Sequence, residues 1–179
     1  MLKRQTYALM TLVLLITNFG CTTVNKFGAL EKVSSVDLNQ FMGDWFVIAN
    51  IPTFVEKGAH NALENYKLKE NGDIAITFTF NKDSLDGPKK TLTMTGKIIP
   101  GHNNAEWTVS PFWPLKFPYY IVEHKPDEWV VVATPNRSYL WIMARKPMMD
   151  AGLLSEIIER MVARGFDRNL IQKIPHSSI

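Results

Sequence analysis

The sequence predicts an all-β domain: eight antiparallel strands running up and down and closing into a barrel, with one C-terminal α-helix packed on its outside. Three observations carry this reading. Between Trp45 and Arg145, short runs of strand-forming residues alternate with turn signals at the spacing of a sandwich or barrel. Most links are short enough for consecutive hairpins, which favours a meander, and eight strands suffice to close a barrel and abolish its edges. A helical period appears only after Asp150.

The chain has 179 residues, 46% apolar and 21% charged, which leaves room for one core and an appendage. The appendage is N-terminal. Lys3 and Arg4 precede an apolar run from Tyr7 to Ile16, too short to span a hydrocarbon layer of ~30 Å, so residues 1–20 read as a signal peptide. The run ends at Gly20-Cys21, and this junction resembles a bacterial lipoprotein signal, in which the cysteine becomes the acylated first residue. Thr22 after it, rather than Asp, resembles lipoproteins sent on to the outer membrane. That likeness implies a lipid anchor on Cys21, with acyl chains such as palmitate, in the outer membrane and facing the periplasm. An ordinary cleaved leader with an incidental cysteine is the alternative. Residues 21–35 then form a lipidated tether, and 36–179 the domain.

Cys21 is the sole cysteine, so the fold holds by packing, without an intramolecular disulfide or a thiolate zinc site. The formal net charge of +3 includes Lys3 and Arg4, and the chain without its leader carries +1. Such a balance offers no basic stripe for nucleic acid.

The domain opens at Val36 to Ile51. A polar lead-in, Ser34, Ser35 and Asp37, passes through a short helical turn, Leu38 to Met42, into the first strand, with Gly43 permitting a sharp backbone turn before the large Trp45. A longer loop spans Pro52 to Ala62; the second strand is Leu63 to Lys69, and Glu70-Asn71-Gly72-Asp73 is a hairpin turn. In the third strand Ile74, Ile76, Phe78 and Phe80 alternate with Ala75, Thr77 and Thr79, a period of two. Asp83 to Lys90 turns into the fourth strand, Thr91 to Ile99, and Ala105 to Ser110 is the fifth. The loop from Pro111 to Pro118 is proline-rich, hence no central strand, yet it carries Phe112, Trp113 and Phe117. Tyr119 to His124, Trp129 to Thr134 and Tyr139 to Arg145 complete the barrel. Asp150 then caps a helix with Leu153, Leu154, Ile157, Ile158, Met161 and Val162 on one face and Gly165 as its stop, and Phe166 to Ile174 returns with room for one short strand.

Gly43-Asp44-Trp45, the turn Thr134 to Tyr139 and Arg145 together resemble the three landmarks of the lipocalin family. Further likeness to its bacterial outer-membrane members and to apolipoprotein D extends through Ile51-Pro52-Thr53-Phe54, Asn65-Tyr66-Lys67-Leu68, Tyr139-Leu140-Trp141-Ile142 and Arg145-Lys146-Pro147. The resemblance implies a lipocalin calyx in which Arg145 lies across Trp45 at the closed end, a structural pair worth ~0.5–2 kcal/mol.

It also implies pocket-lining positions at Phe41, Tyr66, Phe78 and Trp141, to which alternation adds Val47, Met94, Trp107 and Met143. A solid core of the same residues is the plainer alternative. An aromatic pocket selects an apolar tail, and ~0.8 kcal/mol per buried CH₂ makes fatty acids and lysophospholipids the expected ligands. Lys57 and His60 stand where they would meet an anionic head group, or are ordinary surface residues. Phe112, Trp113 and Phe117 suit a membrane interface or a second subunit, as in a homodimer, or a lid over the cavity. No nucleophile elbow, metal-spaced histidine pair or phosphate loop is present, so the chain reads as a binding protein without cofactor or metal. The alternative is a periplasmic lipid-modifying or haem-dependent enzyme using the same pocket, with His124 as the haem candidate.

Overall fold

The computed structural model describes residues 27–177. The expected signal peptide, Cys21 and the first part of the expected tether lie outside the described residues. A single helical turn, α1 (Leu38–Phe41), is capped by Asp37, whose carboxylate accepts the amides of Asn39 at 2.8 Å and Gln40 at 3.3 Å. The strands follow as β1 (Gly43–Ile51), β2 (Ala59–Leu68), β3 (Ile74–Lys82), β4 (Lys89–Ile98), β5 (Glu106–Ser110), β6 (Phe117–Lys125), β7 (Trp129–Ala133) and β8 (Leu140–Ala144). After them come α2 (Ala151–Ala163) and a two-residue β9 (Gln172–Lys173).

Each strand from β2 to β8 pairs antiparallel with the next, and β1 closes the barrel by pairing with both β8 and β2. It does so in two halves. Gly43–Phe46 faces β2, while Phe46–Ile51 faces β8 with a register shift between Val47 and Ala49. Where β2 diverges, β9 takes its place against Ala49 and Asn50, and Ile174 donates its amide to Ile48 O at 2.9 Å. The expected short returning strand is thus the seam that covers the opening between β1 and β2.

Beyond the first, three strands begin earlier than their composition suggests, and β4 does so at Lys89, inside the expected turn. β2 starts at Ala59, inside the expected loop, through an irregularity at His60–Leu63 where Asn61 adopts a φ of 49° and its amide donates to Pro175 O. β6 starts at Phe117 and includes Pro118, opposite Thr108. The proline fits because Ile121 N donates to Ala105 O across this ladder; alternation turns the N–H groups of Tyr119 and Phe117 the same way. Position 118 then faces the other side, where β7 reaches only to Tyr120.

Side chains divide into two clusters. The inner one fills the barrel from Val36, Phe41 and Trp45 through Ile74, Ile76, Phe78 and Phe80 to Trp141 and Met143. The outer one joins Ile48, Ala49, Ile51, Val131, Leu140 and Ile142 to Leu154, Ile157, Ile158 and Met161 of α2. Because α2 covers their outer face, β7 and β8 are buried throughout. Asp150 caps α2 by accepting Leu153 N at 2.9 Å, and Gly165 ends it at φ +97°. No helix among the described residues is long and apolar enough to cross a membrane.

From residue 28 the chain already runs along the barrel. Arg137 donates to Gly28 O at 3.0 Å, Val33 N to Ile121 O at 3.0 Å, and Asn103 and Asn104 to the carbonyls of Ser34 and Val36, both at 3.0 Å. Lys32 pairs with Glu106 at 2.5 Å. The stretch expected as a tether is therefore bound over its described part.

Candidate functional site

The barrel floor is built by the start of β1 and the end of β8. Gly43 adopts a φ of +94°, a conformation costly for any residue with a Cβ, and this delivers Trp45 inward with its indole N–H donating to Phe41 O at 2.7 Å. The Arg145 guanidinium lies 3.7 Å from the Trp45 ring and donates to Asp44 O at 2.8 Å, Met42 O at 2.9 Å and Gln40 O. One side chain thus satisfies carbonyls on both sides of the turn that places Trp45.

Above this floor the inner aromatic rings are buried and pack against one another. Phe41 meets Tyr66 edge-on at 5.2 Å and Trp107 at 5.0 Å, Trp107 stacks on Tyr119 at 5.3 Å, and Tyr119 on Trp141 at 6.3 Å. The eight positions expected to line a pocket all fall in this inner cluster, which is also where the plainer alternative of a filled core puts them. Phe41, Val47, Tyr66, Phe78, Trp107, Trp141 and Met143 are buried in it, and Met94 is partly buried against it.

Sequence reasoning missed a polar chain within the same interior. Glu64, 5% exposed, accepts a short hydrogen bond from the Tyr66 hydroxyl, and Tyr66 shares a second one of 2.6 Å with the Tyr119 hydroxyl. Glu56, on a 3₁₀ turn in the loop after β1, folds back so that its carboxylate accepts Thr53 N at 2.8 Å and the Trp141 indole N–H at 3.1 Å. Burial raises the pKa of both carboxyls; for Glu64 it outweighs the Tyr66 hydrogen bond, the neighbouring Glu56 adds to the rise, and the value reaches about 7. A signal for Glu64 was available, since it sits two residues before Tyr66 on the same strand face.

At the other end, the loops 52–58, 83–88 and 111–116 form the rim of the mouth. They and the start of β6 carry exposed apolar side chains: Trp113 at 87%, Phe54 at 84% and Phe112 at 65%, with Val55, Leu85, Leu115 and Phe117. Lys57, Lys89, Lys90 and Lys116 are exposed around them. His60 is half-buried and contacts Gly58 O at 3.1 Å. His124 lies at the closed end instead, in a niche of about 10 Å³ with Asp37, Phe41, Trp45 and Asp127, space on the order of one water. No group of three or more metal-ligating side chains occurs among the described residues.

Comparison with known proteins agrees with this architecture. Residues 36–176 match the family model of the lipocalin-like domain. The chain is 27% identical over 154 residues to outer membrane lipoprotein Blc of Vibrio cholerae, covering 84% of this chain and 87% of that one. It is 27% identical over 124 residues to bovine apolipoprotein D, covering 63% and 62%. Among solved structures, insecticyanin of the tobacco hornworm superposes with a TM-score of 0.64 at 14% identity, over 83% of this chain and 85% of that one, which speaks to the fold alone. With the Trp45–Arg145 floor, the closed barrel and the flanking helix in place, the chain belongs to the lipocalin family.

Proposed function

We propose that this protein is an envelope lipoprotein that binds and shuttles amphiphilic lipids in its barrel. The observation that carries the reading is the apolar, aromatic interior from Phe41 through Tyr66 and Trp107 to Trp141, whose rings pack on one another and which an acyl tail enters by parting them. Fatty acids and lysophospholipids are the ligand classes it favours. Acylated Cys21 is the anchor, by analogy with relatives named as outer membrane lipoproteins, and the outer membrane seen from the periplasm is the proposed location.

The rim supports a route for the cargo. Exposed Phe54, Phe112, Trp113, Leu115 and Phe117, interspersed with Lys57, Lys89, Lys90 and Lys116, suit insertion at an anionic lipid surface, with the mouth facing the bilayer from which a lipid is taken. Native mass spectrometry of the purified protein tests the central reading. Discrete mass increments of a co-purified or exchangeable acyl lipid are expected, and an interior that takes up no lipid from a broad panel sinks it.

A further inference from the structure

The inner polar groups are unbalanced in a way that bears on the ligand. Three donors reach the two carboxyls: Thr53 N–H and the Trp141 indole N–H go to Glu56, and the Tyr66 hydroxyl goes to Glu64. Since Tyr66 donates to Glu64, the Tyr66–Tyr119 bond needs Tyr119 as its donor when Glu64 is ionised. Asn50 is 1% exposed and its Oδ1 has no hydrogen-bond partner. It faces inward, because it stands directly opposite Trp141 in the β1–β8 ladder, and cross-strand partners share a face. A buried acceptor left unpaired is costly, and a native one calls for an explanation such as a ligand.

The charges point the same way. The groups acting on Glu64 are Tyr66 of its own strand, Tyr119 of β6, which hydrogen-bonds to Tyr66, and Glu56 of the β1–β2 loop; none is basic. Those acting on Glu56 are Thr53 and Trp141, again with no cation. Two carboxyls thus share a low-dielectric interior without a counter-charge among the described residues, and an incoming carboxylate adds a further negative group beside whichever of them is ionised.

We infer that Asn50, Glu56 and Glu64, with Tyr66 and Tyr119, form a subsite for the positively charged, hydrogen-bond-donating end of an amphiphile, a primary alkylammonium in chemical class, and that it discriminates against a carboxylate. The inference rests on the lipid-binding reading above and narrows it: a lipid bearing an ammonium group is favoured over a free fatty acid. An ammonium brings three donors, enough for Asn50 Oδ1 and the two carboxylates together. Protonating Glu64 removes one of the charges it would meet, so the discrimination weakens below the Glu64 pKa of about 7.

The test is calorimetric titration of the purified, delipidated protein with dodecylammonium and with dodecanoate, both below micellar concentration, at about pH 8.5 and about pH 5.5. At the higher pH the ammonium binds about tenfold or more tightly than the carboxylate, a ratio equivalent to ~1.4 kcal/mol. The ratio shrinks at least about threefold at the lower pH, in Glu64→Gln and in Asn50→Leu. Dodecanoate binding as tightly as the ammonium at the higher pH overturns the inference on the unmutated protein alone. So does a ratio that neither variant moves, with circular dichroism confirming that each is folded. Binding of neither amphiphile sinks the carrier reading, and the head-group preference with it.

Discussion

Replacing Glu64 by Gln should stabilise the ligand-free protein at neutral and alkaline pH, by an amount that depends on pH in a defined direction. Unfolded, this carboxyl titrates near its ordinary value of 4.5; folded, burial with help from Glu56 holds it at about 7. Between those values the native state binds more protons than the unfolded one, so stability falls as pH rises through the window. Below about 4.5 both states are protonated and the penalty vanishes; above about 7 it is complete. The interval corresponds to about 3 kcal/mol, a large share of the ~5–15 kcal/mol that holds a domain together. Gln keeps the shape and still offers an oxygen to the Tyr66 hydroxyl, but cannot ionise. Urea denaturation of both proteins at several pH values from about 4.5 to 8.5 supplies the comparison, since every other titrating group is common to the two and largely cancels. The variant's advantage should grow by about 2–3 kcal/mol across the series. A difference flat to within ~0.5 kcal/mol would refute the buried, uncompensated carboxyl on which the calculation stands.

Arg145→Ala, which removes the guanidinium from Trp45 and from three backbone carbonyls, should cost about 2–3 kcal/mol in chemical denaturation, and Arg145→Lys about half of that, because an ammonium cannot reach all of them. An Arg145→Lys protein as stable as the wild type would contradict the forked geometry. Trp113→Ser combined with Phe112→Ser should reduce binding to anionic vesicles about tenfold, read by sedimentation, while leaving amphiphile affinity in the barrel within about twofold. Cys21→Ala should move the protein from the membrane to the soluble fraction of the envelope, and unchanged fractionation would speak against acylation.

The barrel was legible because most of its strands carry their own signal. β3 alternates from Ile74 to Phe80 with the buried set on one side, and α2 places Leu154, Ile157, Ile158 and Met161 at helical spacing against the outer face. The polar part of the interior was not legible, for three different reasons. Glu64 is a charged residue in an alternating run, which by default reads as outward, although Tyr66 two positions on already fixed the parity. Glu56 comes from a loop, where no period exists to say which way a side chain points. Asn50 is turned inward by the register shift between Val47 and Ala49. Strict alternation from inward Val47 would send position 50 outward, and the extra residue reverses every face after it, so that Ala49 and Ile51 join the outer cluster while Asn50 meets Trp141.

That reversal also explains why the acceptors gather where they do. The bulge allows the end of β1 to leave β2 and run along β8, opening the side of β1 that β9 then covers; the same step brings Asn50 to Trp141, and Trp141 to Glu56 in the loop that immediately follows. A barrel stabilised only by its contents would gain by filling these positions with apolar side chains, since an unpaired amide oxygen and two carboxyls without a counter-charge each cost free energy in a dry interior. At a pH where the carboxyls are ionised, their expense is recovered when something carrying donors and positive charge enters, which makes the least stable groups in the barrel the ones best suited to select its ligand.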